Sequence, residues 1–226
     1  MKRIFYAALL AVASLLAGIP AAAQHFTCAQ YETDAKRWQD IEQLFKRQGW
    51  SQWALAVKDA FPLNNDRSIQ YRYVLSSDVP CSQKRLTELV QKWITLEHPN
   101  VLPLPADQTV DLKVQTLWDN VAHSYRVFSA AYVSAKSETF VEFKENRLRI
   151  TVTVSRYVMG AANPFQVNSD TPLVGDCYPF DLNGKWKNVM AMAYINSNQK
   201  ALDQVASLLN YLNRHAAAPA KSHKDW

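Results

Sequence analysis

The stretch Tyr71–His98, YRYVLSSDVPCSQKRLTELVQKWITLEH, changes its hydrophobic period halfway along, and that change limits the folds open to the chain. Ile69, Tyr71, Tyr73 and Leu75 alternate with Gln70 and Arg72, the two-residue repeat of a half-buried strand. After the corner, Leu86, Leu89, Val90, Trp93 and Ile94 recur at i, i+3, i+4, i+7 and i+8, an apolar helical stripe with Lys84, Arg85, Glu88 and Lys92 outside it. A strand and a helix with one apolar face each, joined by a short corner, bury those faces in a common layer. The chain must therefore stack helices on a sheet, and Cys81 stands at the corner between them.

The N-terminus predicts the compartment. Lys2 and Arg3 precede a nearly all-apolar run, Ile4 to Leu16, and Gly18-Ile19-Pro20 leads into Ala21-Ala22-Ala23-Gln24. This is the pattern of a secretory signal peptide over residues 1–23 with a small-residue cleavage site before Gln24. The apolar run is too short for a spanning helix. Cys28 follows His25-Phe26-Thr27 and not the cleavage site, so the lipid-anchor pattern is not met. The expected location is periplasmic or secreted. About 203 residues would remain, enough for one good core.

Loss of Lys2 and Arg3 lowers the formal charge from +5 to +3. That is a mild balance, and along the chain Lys and Arg are scattered among Asp and Glu without the one-faced cluster that a nucleic-acid footprint requires. Cys28, Cys81 and Cys177 allow one disulfide, with three choices of pair and one thiol left over. No CxxC or HxxxH spacing suggests a metal, and the five histidines are dispersed. No cofactor motif is present.

Phe26, Thr27, Gln30 and Tyr31 read as a capping box with a hydrophobic staple that starts a helix through Trp38, Ile41 and Phe45 up to Gly49. A second helix over Ser51–Ala60 completes an N-terminal helical hairpin within residues 24–60. The rest of the fold occupies 61–215. After the first strand and helix, further strands are predicted at Val110–Val114, Tyr125–Val133, Thr139–Phe143 and Leu148–Val154, the last two joined by a tight Glu145-Asn146 turn. Ala201, Leu202, Val205, Leu208, Leu209 and Leu212 mark a long closing helix, and 216–226 reads as a loose tail. The fold class is α+β, in the order β-α-β-β-β-β-α, an antiparallel sheet with helices on one face and the other face open to water or a partner.

From Gly160 to Gly184 the pattern lapses into a long loop carrying Phe165, Leu173, Val174, Tyr178 and Phe180. Loops of this length are functional or cover their own core. Phe165, Tyr178 and Phe180 are its candidate ligand contacts.

Phe61-Pro62, the alternating strand with Ile69 and Tyr71, Asp78-Val79-Pro80, Ser82, Lys84 and a helix ending in Trp93-Ile94 together resemble a secreted bacterial family, domain of unknown function 4468, described as having a TATA-binding-protein-like fold. The Glu145-Asn146-Arg147-Leu148-Arg149 hairpin and the closing helix resemble its second half. The likeness covers residues 60–158 and, more loosely, the last helix. It implies a shape and an exported envelope location, with no catalytic residue carried over and no DNA binding implied by the fold label. The chain departs from the pattern at Cys81, where a glycine is expected, and in the length of the 160–184 loop.

Three functions follow as expectations. The first is a non-catalytic binding module of the bacterial envelope that meets a protein or glycan through the open sheet face or the long loop. The second is a carrier that holds a small apolar ligand between sheet and closing helix. The third is an enzyme, which would need His123, Asp176 and Cys177 to converge in space. No GxSxG elbow, phosphate loop or HExxH motif supports the third.

Overall fold

The computed structural model describes residues 26–45, 47–98, 112–126, 129–161, 171–184 and 186–216. The leader expected at 1–23, the connection at 99–111 and the tail from 217 lie outside them. In chain order the elements are β1 (Phe26–Thr27), α1 (Ala29–Phe45), α2 (Trp50–Ala60), β2 (Ile69–Ser77), α3 (Gln83–Glu97), β3 (Leu112–Arg126), β4 (Ser129–Lys144), β5 (Arg147–Ala161), a 3-10 turn at Val174–Asp176, and α4 (Lys187–His215).

The sheet runs β1-β2-β5-β4-β3 and every pairing is antiparallel. Helix α3 follows β2, the next strand, β3, lies at the far edge of the sheet, and β4 and β5 step back until β5 pairs with β2 from Ile69↔Val154 to Ser76↔Arg147. Because side chains alternate between faces, this register sorts them cleanly. Tyr73, Ile150, Val141 and Leu112 form one row on the inner face, and all four are buried. The α+β class, the antiparallel sheet, the N-terminal helix pair and the long closing helix are those the sequence predicts.

The strand boundaries differ from those read in the sequence. The predicted run Tyr125–Val133 is shared between two strands: Tyr125 and Arg126 end β3, and the part from Ser129 joins Thr139–Phe143 in the single 16-residue strand β4. The inward residues in the middle of β4 are Ala135, Ser137 and Thr139, small or hydroxylated, so the hydrophobic alternation fades there although the strand continues. Bulges shift the register of β3 between Trp118 and Ala122 and of the β4–β5 pair beside Lys136 and Ser137. Such insertions bend strands and increase twist.

Helix α4 crosses the inner face, with Tyr194, Ile195, Ala201, Val205 and Leu208 at 1% exposure or less. A chain of buried polar contacts ties it to that layer: Tyr71 Oη donates to Asn198 Oδ1 at 2.6 Å, Asn198 Nδ2 to the Tyr194 carbonyl at 2.8 Å, and Tyr194 Oη to the Phe61 carbonyl at 2.9 Å. A buried polar atom left without a partner costs about 1–3 kcal/mol, so these bonds fix where α4 lies.

The corner at Cys81 is held by the β4–β5 turn. Cys81 N–H donates to Asn146 Oδ1 at 2.7 Å, Asn146 N–H donates to the Cys81 carbonyl at 3.0 Å, and Ser77 N–H donates to the Asn146 carbonyl at 2.8 Å. Ser82 then caps α3, its Oγ accepting from Arg85 N–H at 3.2 Å. At the other end of the chain, the predicted capping box on Thr27 gives way to a start one residue later. Thr27 pairs with Ser76 in β1, and the Cys28 carbonyl accepts from Glu32 N–H at 3.0 Å. Phe26 is pinned instead to the end of α4, its N–H donating to Asn213 Oδ1 at 2.7 Å and its carbonyl accepting from Asn213 Nδ2 at 3.1 Å.

Candidate functional site

On the other face most of the outward side chains are exposed or half-buried, and among the described residues no helix covers it. Across β2, β5, β4 and β3 its rows read Arg72, Thr151, Phe140, Lys113; then Val74, Arg149, Glu142; then Ser76, Arg147, Lys144. Lys136 joins them opposite Leu117. Arg72, Lys113, Lys136, Lys144, Arg147 and Arg149 thus share one face with two acidic groups among the paired rungs, Glu138 and Glu142; Asp119 lies farther along, at the β3 bulge. The sequence predicts no such cluster. The bases are scattered along the chain, and strand pairing brings them together.

The two carboxylates are already engaged. Arg149 grips Glu142 with two nitrogens, a contact that holds the Glu142 carboxyl below its usual range. Partial burial would raise Glu138, but hydrogen bonds from Lys113 at 2.9 Å and Gln115 at 3.0 Å outweigh it and hold that carboxyl low as well. Among the described residues, no ion pair takes up Arg72, Lys136, Lys144 or Arg147. A cleft of about 310 Å³ opens between Lys144, Arg147, Arg149, Glu142, Leu148 and Val74, and Val74 is 47% exposed. An apolar floor ringed by cations suits a carboxylate- or phosphate-bearing group lying on a hydrophobic patch. This face offers guanidinium and ammonium donors, with no thiol or imidazole among the groups named.

Of the loop residues expected to contact a ligand, two are described, and both are packed against helices. Phe165 is outside the described residues. Tyr178 is buried and its Oη donates to the Ser51 carbonyl at 3.1 Å. Phe180 meets Tyr194 edge to face at 5.2 Å, with Lys58 Nζ 5.5 Å from its ring centre. Both side chains fasten the loop to α2 and α4. The layer between sheet and α4, where an apolar ligand was expected, is filled by Tyr71, Tyr157, Val205 and their neighbours.

The cysteines occupy three different surroundings, all buried. Cys28 lies beside Tyr31, Gln30 and Val74; Cys81 is near Arg85 and Glu145; Cys177 Sγ faces the Leu173 carbonyl at 3.5 Å. Of the residues an enzyme would need to assemble, Asp176 is paired with Arg67 at 2.7 Å, Cys177 lies inside the same turn, and His123 stands on the edge strand β3 opposite Tyr132. Among the described residues, no group of three or more His, Cys, Asp or Glu side chains could hold a metal ion, and no helix is long and apolar enough to cross a membrane.

No protein-family model and no curated protein matches this chain. Two solved structures are similar to it. One is a TBP-like protein from Parabacteroides distasonis, at 10% identity over 66% of this chain and 96% of that one, with a TM-score of 0.47. The other is a protein of the domain of unknown function 4468 family from Bacteroides ovatus, at 12% identity over 72% of this chain and 92% of that one, with a TM-score of 0.41. Both are of the kind that residues 60–158 resemble in sequence.

Proposed function

We propose that this chain is an exported, non-catalytic binding module of the bacterial cell envelope, and that the open face of its sheet takes an acidic partner, a glycan or protein that presents carboxylates or phosphates. Export rests on the leader read at residues 1–23. The observation that carries the binding reading is the gathering of Arg72, Lys113, Lys136, Lys144, Arg147 and Arg149 on one sheet face, which no described helix covers, with Glu138 and Glu142 as the acidic groups on its paired rungs. Arginine in particular recognises carboxylate and phosphate with two parallel hydrogen bonds. The patch around Val74 adds apolar contact that charge alone would not supply.

The test compares two charge-reversed variants on a polyanionic resin such as heparin. Arg72→Glu, Lys144→Glu and Arg147→Glu alter the sheet face, while Lys36→Glu, Lys84→Glu and Lys92→Glu change the net charge equally on exposed helical positions. The first variant is expected to elute at much lower salt than the second, because neutralising contacts set the salt dependence of polyanion binding. Equal elution of the two would reduce the binding to general charge and remove the case for this face.

A further inference from the structure

Strand β2 is the second strand of the sheet, yet its outer edge is only partly covered. Strand β1 pairs with Ser76 and Ser77, and the chain then leaves as α1. Ser77 N–H donates to the Asn146 carbonyl on the β5 side, and the bonds of an antiparallel strand alternate in direction from residue to residue. Ile69, Tyr71, Tyr73 and Leu75 therefore turn their N–H and C=O groups to β5. Gln70 and Arg72 turn theirs outward, where no group among the described residues bonds them.

A cleft of about 250 Å³ runs along this open edge. It touches the consecutive residues Ile69–Tyr73, whereas a hollow on either face of a strand would touch alternate ones. Its inner wall is made by Gln30 and Asp34 of α1 and by Ala60, Phe61 and Pro62 at the end of α2. The rings of Phe61 and Tyr71, 5.7 Å apart, make that wall largely apolar, and Asp34 already accepts from Tyr73 Oη at 2.8 Å. On the outer side Arg72 is exposed, its Nη2 3.4 Å from the Gln70 side-chain oxygen, and no carboxylate among the described residues forms an ion pair with it. A row of free backbone groups beside a cleft is a template for one more strand.

We propose that the β2 edge binds an extended peptide segment of another protein by strand addition, its backbone bonded to Gln70 and Arg72. Residues opposite Gln70 and Arg72 share their outward face, so the positions that suit Arg72 are acidic. The residues between them point inward, where the Phe61 and Tyr71 wall suits small apolar side chains. A second copy of this chain fits less well, because β2 against β2 would set two basic rows side by side. Arg72 also belongs to the basic face described above, but strand addition needs a peptide backbone and heparin has none, so either proposal can fail without the other.

Amide hydrogen exchange of the full mature chain tests this, alone and with a capped peptide of alternating glutamate and valine, about seven residues long to cover the edge at about 3.3 Å per residue. In the chain alone, Gln70 and Arg72 amides are expected to exchange about tenfold or more faster than Tyr71 and Tyr73, and saturating peptide is expected to slow them about tenfold. Methylating the glutamate nitrogens of the peptide keeps its charge and blocks the ladder, so protection should vanish; methylating the valine nitrogens, which face away, should leave it. Arg72→Glu, at an exposed position, should weaken binding about fivefold and favour the matching lysine–valine peptide. Protection of Gln70 and Arg72 in the chain alone would overturn the proposal, since a second copy or the chain's own segment would then hold the edge. So would equal protection by the two methylated peptides, or unchanged affinity in Arg72→Glu. Peptide-induced shifts on the basic face without slower exchange at Gln70 and Arg72 would overturn it as well, while leaving the function proposed above standing.

Discussion

Asn146 does two jobs at one residue. Its φ of 61° places it in the left-handed region that asparagine tolerates better than most residues, and its amide oxygen takes the Cys81 N–H. Asn146→Ala meets both costs, and about 2–3 kcal/mol of stability should be lost. Asn146→Gly relieves the backbone and loses only the hydrogen bond, about 1 kcal/mol. Urea midpoints should therefore rank wild type, Gly, Ala; Ala at or above Gly would contradict the left-handed backbone, and Gly equal to wild type would show that the Cys81 contact is of no account. Cys81 itself, a residue that drew attention as a departure from a family pattern, is a small buried corner group whose backbone does the fastening.

The buried tyrosines give a pH prediction. Burial pushes Tyr31 up to about 12 and raises Tyr71, Tyr73, Tyr157 and Tyr194 above the ordinary phenol value. A folded-state pKa above the unfolded one means the stabilisation is complete below pH of about 10 and is lost as pH rises from there toward the folded values. Phenolate absorbance of these five should stay silent through pH 10 and appear together with unfolding, as followed by circular dichroism. Their independent titration near pH 10 in the folded protein would contradict the packing described.

Among the elements, the segment after β5 is attached by close backbone approach. Gly175 N–H donates to the Arg67 carbonyl at 3.1 Å, Arg67 Nη2 donates back to the Gly175 carbonyl at 2.6 Å, and a Cβ on Gly175 would lie 2.7 Å from Arg67 Cβ. Gly175→Ala must push Arg67 and this turn apart, at about 1–3 kcal/mol. The loss should show first as faster proteolysis within 171–184, ahead of any change in the sheet. Equal protease resistance in the two proteins would mean the turn is not held there.

How much could be read in advance also divides by element. Strands and helices with large apolar residues on one face, β2, α3 and β5, are plain from their periods. Strand β4 is not, because Ala135, Ser137 and Thr139 carry the inner face without the usual hydrophobic signal. The start of α1 was displaced by one residue because Thr27 has a strand partner, Ser76, nearly fifty positions away, and a capping motif does not contain that information. The basic face was hidden for the same reason. Arg147 and Arg149 alternate visibly on β5, but Arg72, Lys113 and Lys144 come from three other strands, and only the register places them beside the first two.

At the scale of the whole molecule, the layers divide the work: among the described residues, four helices lie on one side of the sheet around tyrosine and asparagine contacts, and the other face carries an excess of cations. A formal excess of a few charges spread evenly would have little reach, since exposed charges are screened beyond about 8 Å in physiological salt. Concentrated on one face, the same excess supplies a directional field and a set of arginine forks. The function proposed for this chain places its partner on that face. The most direct measurement is amide chemical-shift mapping of the full mature chain, titrated with a short heparin fragment at physiological salt. Shifts concentrated on the outward residues of β2, β5 and β4 around Arg72, Val74, Lys144 and Arg147 are the predicted result, and shifts confined to the helices, or spread evenly over every exposed lysine and arginine, would contradict it.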